Sequence, residues 1–285
     1  MQVLQPETLD AALRARSDDP GAVVVAGGTE VMPARNRGDR PGPLLDLSRV
    51  AGLAAVGEGA VLRLGAGVTC TRVIEELADD VPVLAAAART VASRQVRNRA
   101  TLGGTLAVAD PSADVLAALV AAGAEVELAS AAGSRRIGVA AFLTGPFACD
   151  LRADDLVTAV HVPAAAGPAA YAKVGARNAM ARAACAVAVV LDLEHRTAAI
   201  AVAAAGPTPL RAPAAEALVA DQAPWERAGD LDDEWLAKVG ALVAAATAPR
   251  SDRRGSAAYK RHAAAVLARR ALARAWRGRA EPQWA

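Results

Sequence analysis

Val23-Val24-Val25-Ala26-Gly27-Gly28-Thr29-Glu30 and, further on, Arg99-Ala100-Thr101-Leu102-Gly103-Gly104-Thr105 decide how this chain is read. In each, a glycine pair is followed by a threonine, and in the first a β-branched run leads into it, the pattern of a buried strand ending in a tight turn. A glycine pair leaves backbone N–H groups bare and close together, a concavity that holds phosphate charge without lysine. Two such segments predict a cradle for the two phosphates of one dinucleotide, with Gly27, Gly28, Thr29 and Glu30 in one half and Thr101, Gly103, Gly104 and Thr105 in the other. The plainer reading of either segment is a turn that touches nothing. Neither fits G-x-G-x-x-G between a strand and a helix, the dinucleotide fingerprint of doubly wound sheets. Gly65-Ala66-Gly67 comes nearest, with Cys70 where the third glycine belongs.

The chain has 285 residues, enough for two domains with separate cores. Its residues are 54% hydrophobic but only 3% aromatic, so the core is built from Ala, Val and Leu, and a bound ring system meets few aromatic side chains. A net charge of +2 argues neither for nor against nucleic acid. Cys70, Cys149 and Cys185 are too scattered to ligate an iron–sulfur cluster or a zinc ion and read as small buried hydrophobes. His161, His195 and His262 form no triad or metal motif, so neither a catalytic residue nor a metal site is expected. The amino terminus lacks a secretory pattern and no apolar run reaches the length of a membrane span, which predicts a soluble cytoplasmic protein.

Along the chain, helices are expected over 8–16, 71–78, 82–92 and 112–121, and strands over 22–26, 61–64, 125–128 and 156–162, with a loop over 93–104. This alternation predicts an α/β or α+β fold rather than a bundle. The alanine- and proline-rich stretch 163–168 reads as a linker. Beyond it, β-rich runs at 185–194 and 197–204 predict a hairpin, and helices follow over 212–220, 232–246 and 254–276.

Residues 25–33 and 94–114 resemble the two flavin-binding signatures of the medium, FAD-binding subunit of molybdenum hydroxylases. That family includes carbon monoxide dehydrogenase and xanthine dehydrogenase. The resemblance runs from Pro6-Glu7-Thr8-Leu9 through 62–69 and 155–163 to Ser251-Asp252-Arg253-Arg254-Gly255-Ser256-Ala257-Ala258-Tyr259, nearly the whole chain. It implies an α+β fold: a two-part PCMH-type FAD-binding domain over 1–165, then a small α+β domain over 169–280 with an antiparallel sheet and helices. It implies FAD bound noncovalently, in keeping with the lack of His or Cys in either glycine segment. A large partner with a molybdenum cofactor and a small partner with [2Fe–2S] clusters are implied, the flavin passing electrons to an acceptor such as NAD, quinone or oxygen. Substrate chemistry then belongs to the partner.

The resemblance places FAD contacts at Val25, Ala26, Gly27, Gly28, Thr29, Glu30 and Val31, and at Thr101, Leu102, Gly103, Gly104 and Thr105. Family members often carry asparagine at the Thr105 position. Asp114 falls where the cofactor's sugar-alcohol or ribose region binds; its ordinary role is to complement a helix dipole. Lys173 is either a cation near the flavin N1–C2=O edge, tuning the reduced ring, or an ordinary exposed lysine. Val157 brings backbone near the ring. Xanthine-oxidising members place an aromatic where Val91 stands and acids near Met180 and Ala181. The run Arg94, Arg97, Arg99 reads as a phosphate attractor, a solvated loop or an interface patch, and the basic last helix as docked on its own domain rather than on nucleic acid or membrane. Two rivals stand beside the subunit reading: a free-standing FAD-dependent oxidase or reductase with its own substrate site, and a noncatalytic nucleotide sensor or nucleic-acid-binding protein.

Overall fold

A computed structural model describes residues 2–227 and 229–280; Met1, the first residue of the expected FAD-binding domain, lies outside them. The chain opens with β1 (Val3–Leu4), α1 (Leu9–Asp18), β2 (Val23–Val25), α2 (Val31–Asn36) and β3 (Leu44–Asp46). The three strands form a parallel sheet, order β1-β3-β2, with the Leu45 side chain fully buried under it. Thr8 starts α1 by accepting the Ala11 amide on Oγ1 at 3.2 Å, the usual service of an N-cap hydroxyl.

A second unit follows: β4 (Val61–Gly65), α3 (Cys70–Glu76), α4 (Pro82–Arg89), α5 (Arg94–Arg97), α6 (Leu102–Val108), α7 (Asp114–Ala121), β5 (Glu125–Ser130), β6 (Gly133–Gly138), α8 (Val139–Phe142), β7 (Leu143–Gly145), β8 (Ala148–Cys149) and β9 (Leu156–Pro163). Its main sheet is antiparallel, order β4-β9-β5-β6. The expected loop over 93–104 instead holds α5 and the first turn of α6. Ser93 and Thr101 each cap a helix, Thr101 Oγ1 accepting the Gly104 amide at 3.1 Å. Glycine is a poor helix former, so the pair reads as a turn; the cap and the close packing of Gly103 override that preference.

The third unit is β10 (Ala169–Gly175), β11 (Ala183–Asp192), β12 (Thr197–Ala203), β13 (Leu210–Arg211), α9 (Pro213–Gln222), α10 (Asp233–Ala246) and α11 (Ala257–Gly278). The expected hairpin is the β11–β12 pair of an antiparallel sheet, order β10-β11-β12-β13. The basic α11 lays Ala264, Leu267, Ala268, Ala271, Leu272 and Trp276 into a core shared with this sheet.

Both faces of the third sheet are covered, and the sequence distinguishes them. Cys185, Val187, Val189 and Leu191 on β11, with Ile200 and Val202 on β12, pack against the helices. Ala186, Ala188, Ala201 and Ala203, on the opposite face, belong to the core of the first two units, against α7. Small side chains let α7 approach closely, and every residue of α7 is buried. Adding bulk to a filled core forces off-rotamer side chains and backbone shifts. Ala188→Leu is therefore expected to destabilise the chain by about 1–3 kcal/mol in urea unfolding, where an exposed Ala→Leu control is near neutral.

The antiparallel sheet of the second unit carries a partly buried ionic cluster across β4, β5 and β9. Glu127 accepts from Arg63 at 2.6 Å, from His161 at 2.8 Å and from the Thr158 hydroxyl at 2.8 Å. Burial alone would raise its carboxyl, but these donors hold it down at about 2. A carboxyl depressed in the folded state contributes stability above its ordinary pKa that disappears as pH falls through the folded value. Acid titration of stability should thus show a loss between about pH 4.5 and pH 2 that Glu127→Gln removes, measured as urea midpoints across that range.

Candidate functional site

A cavity of about 540 Å³ opens where the first two units meet, within the roughly 300–1,000 Å³ typical of small-molecule sites. Its wall takes Val24 from β2 and Leu47 just past β3, Val157 from β9 and Ala66 just past β4, and Met180, Ala181 and Arg182 from the β10–β11 connection. Both glycine segments line it, and they touch. A Cβ on Gly27 would stand 1.8 Å from the Arg99 carbonyl oxygen, and one on Gly103 would stand 2.6 Å from the Ala66 Cβ. Gly28 is there for a different reason, its φ of +74° being a left-handed backbone that L side chains enter at a cost.

The two segments differ in what their amides offer. The Leu102 amide donates to the Val68 carbonyl at 3.0 Å, Gly103 to Ala66 at 2.9 Å, Gly104 to Thr101 Oγ1 at 3.1 Å, and Thr105 to the Thr101 carbonyl at 3.0 Å. The second segment therefore presents glycine Cα surface and the Thr105 side chain rather than bare N–H groups. By contrast, the amides of Gly27, Gly28, Thr29 and Glu30 donate to no protein acceptor among the described residues. Four consecutive free amides at one turn form a concavity of the kind that can hold an anion.

Among the other residues expected here, Ala26, Val31, Asp114 and Val157 line the cavity, while Val25 and Leu102 are buried behind it. Lys173 is neither on the wall nor exposed. Its Nζ donates to Asp114 Oδ2 at 2.7 Å and to the Thr90 carbonyl at 3.1 Å. The other Asp114 oxygen accepts the Tyr171 hydroxyl at 2.6 Å. Burial pushes the Asp114 carboxyl up and the Lys173 ammonium and Tyr171 hydroxyl pull against it; burial, then the facing carboxylate, pushes the Tyr171 hydroxyl well up. Asp114 is thus held from below by two side chains of β10 and faces the cavity in one orientation.

Arg182 was not singled out from sequence. Its guanidinium pairs with Glu30 of the first segment at 2.9 Å and with Asp110 after α6, pinning the β10–β11 connection across the cavity. Partners 152 residues apart leave no local signal. The described lining includes no aromatic side chain, and Val91 and Met180 are both part of it. Among the described residues, no cluster of His, Cys, Asp and Glu is arranged to hold a metal, and no helix is long and apolar enough to cross a membrane. Burial pushes the thiols of Cys70 and Cys185 up to about 11 and about 12, the state of inert packing cysteines.

Residues 1–165 match the model of the FAD binding domain in molybdopterin dehydrogenase, and residues 169–275 that of the CO dehydrogenase flavoprotein C-terminal domain. The chain belongs to the FAD-binding family of molybdopterin dehydrogenases. It is 31% identical to the glyceraldehyde dehydrogenase medium chain of Sulfolobus acidocaldarius, over 94% of this chain and 96% of the relative. It is also 31% identical to the carbon monoxide dehydrogenase medium chain of Afipia carboxidovorans, over 88% of each. In structure it matches a chain of the Cu,Mo-CO dehydrogenase with a TM-score of 0.88 at 30% identity, over 98% of both chains. The fold is the family's α+β architecture, and FAD suits the cavity: an elongated diphosphate ligand needs unpaired amides at one turn and a close, smooth approach at the other, and both are present.

The two glycines of the first segment should respond differently to a methyl group. Gly27→Ala drives a Cβ into the Arg99 backbone and is expected to cost at least about 3 kcal/mol in urea unfolding. Gly28→Ala meets only the flexible Met32 side chain at 3.3 Å and should cost about 1–2 kcal/mol, the left-handed penalty alone. Equal losses at both positions would contradict the packing described.

Proposed function

We propose that this chain is the FAD-binding electron-transfer subunit of a molybdenum-containing hydroxylase or dehydrogenase complex. The observation that carries it is the single cavity that joins the free amides of residues 27–30 to the Gly103–Thr105 turn and Asp114, in a chain whose family binds FAD. Bound FAD supplies a centre that takes up electrons one at a time and hands them on singly or in pairs. The chain's share is placement. The amides of Gly27, Gly28, Thr29 and Glu30 meet the diphosphate, with Thr101, Gly103, Gly104 and Thr105 packed against the same bridge. Asp114, fixed by Lys173 and Tyr171, accepts from sugar or sugar-alcohol hydroxyls. Lys173 acts by holding that carboxylate rather than by facing the ligand directly. Val157 supplies an apolar wall, and Val25, Ala26, Leu102 and Val31 shape the two turns.

Relatives named as medium chains and as FAD-binding subunits support partners for this chain: a large subunit with the molybdenum cofactor and a small one with [2Fe–2S] clusters. Electrons then pass from the clusters through FAD to an external acceptor of the NAD, quinone or oxygen kind, in the cytoplasm. Domain limits at 1–165 and 169–280 fit this organisation, with the shared alanine face binding the two together. The test is purification from the native host with visible spectra and metal analysis, alongside the full chain reconstituted with FAD. The expected result is a yellow chain that oxidises no organic substrate alone and co-purifies with molybdenum- and iron-containing partners. Substrate-dependent bleaching of the flavin in the isolated chain would instead establish a free-standing oxidase or reductase.

A further inference from the structure

The carboxylates on the cavity wall are each answered by a cation of the chain. Asp114 pairs with Lys173 at 2.7 Å, Asp155 with Arg135 at 2.9 Å, and Glu30 and Asp110 share Arg182. The remaining cavity cations, Arg40 and Arg99, have no carboxylate within 4.0 Å among the described residues. Four carboxylates thus share three cations, and Arg40 and Arg99 are the cavity cations not committed to any of them.

Of the two, Arg99 stands against the first glycine segment. Its carbonyl fills the space beside Gly27, and its Nη2 lies 3.5 Å from the Ala26 carbonyl, a contact at the outer limit of a hydrogen bond. The side chain is exposed and weakly held, next to the turn whose four amides have no protein acceptor. Asp46, the carboxylate that feels Arg99 through space, is already occupied by the Gln5 side chain and the Ser48 amide. A guanidinium presents its donors in a planar fork that matches phosphate oxygens, and it strengthens neutral amide donors aimed at the same anion.

We propose that Arg99 is a diphosphate-binding residue, its guanidinium completing with the amides of residues 27–30 the site for the phosphates of the dinucleotide. The proposal rests on the FAD reading above and adds to it a charged residue that acts on the phosphates alone. Arg99 exchanges its marginal contact with Ala26 for charge-assisted hydrogen bonds to phosphate oxygens, and no proton or electron moves.

The test measures binding of FAD and of riboflavin, which has the ring and ribityl chain without phosphate, to the full chain freed of flavin. Wild type, Arg99→Met and Arg99→Lys are compared at low and at raised ionic strength. Arg99→Met is expected to weaken FAD about tenfold or more, equivalent to about 1.4 kcal/mol, with riboflavin unchanged. Arg99→Lys should recover part of the loss, and the salt dependence of FAD binding should be smaller in Arg99→Met than in wild type. FAD binding by Arg99→Met within about twofold of wild type, or an equal loss of FAD and riboflavin, overturns the proposal. A wild-type chain that binds no FAD overturns the functional reading itself, so the two failures are distinct. Thermal melting of the flavin-free variants separates a folding defect, and Arg99→Gln, read by the same FAD and riboflavin comparison, carries the test should Arg99→Met fail to fold.

Discussion

The structure turns on the approach of two backbones at Gly27 and Arg99. There is no room for a Cβ between them: one on Gly27 would lie 1.8 Å from the Arg99 oxygen. That contact brings the end of a parallel strand in the first unit against the turn leading into α6 of the second, and the cavity exists because they meet. Gly103 repeats the device one layer deeper, against Ala66. Close packing transmits such a constraint, since an interior at native density cannot absorb a misplaced methyl group without moving something else.

The third unit is part of the site as well as a neighbour of it. Its alanine face lets α7 sit in a shared core, and α7 begins at Asp114. Through Lys173 and Tyr171 the same sheet fixes the Asp114 carboxylate, and through Arg182 it ties Glu30 to Asp110. Occupancy of the cavity and docking of the third unit consequently act on the same residues, and linkage makes any effect of one on the other reciprocal. Breaking one side of the Asp114 arrangement would leave a buried charge without its partner, which costs far more than an exposed pair is worth.

The cavity is chemically plain. It has acids answered by bases, free amides at one turn, alkyl side chains elsewhere and no aromatic ring to stack on a flavin. Such a wall offers polar groups at its glycine turns and alkyl surface between them. That wall suits an FAD-binding domain, where the protein's share is to hold and position the cofactor.

Local pattern settled much of this. β-branched runs marked β2, β9, β11 and β12, and alanine- and leucine-rich stretches marked α4, α7, α10 and α11, because burial follows periodicity and these segments are long or uniformly apolar. The short strands β1 and β3, the polar β6 and the helices inside 93–104 were not legible: two or three residues carry no period, and the Ser93 and Thr101 caps acquire meaning only when packing favours the helix. The two glycine pairs and Asp114 announced a ligand site. Tertiary structure alone decided that just one pair keeps its amides free, that Lys173 serves Asp114 instead of standing exposed, and that Arg182 closes the wall from the far end of the chain. Glycine spacing states that backbone can come close to something; which atom arrives there depends on segments far away in sequence, and only the folded chain fixes them.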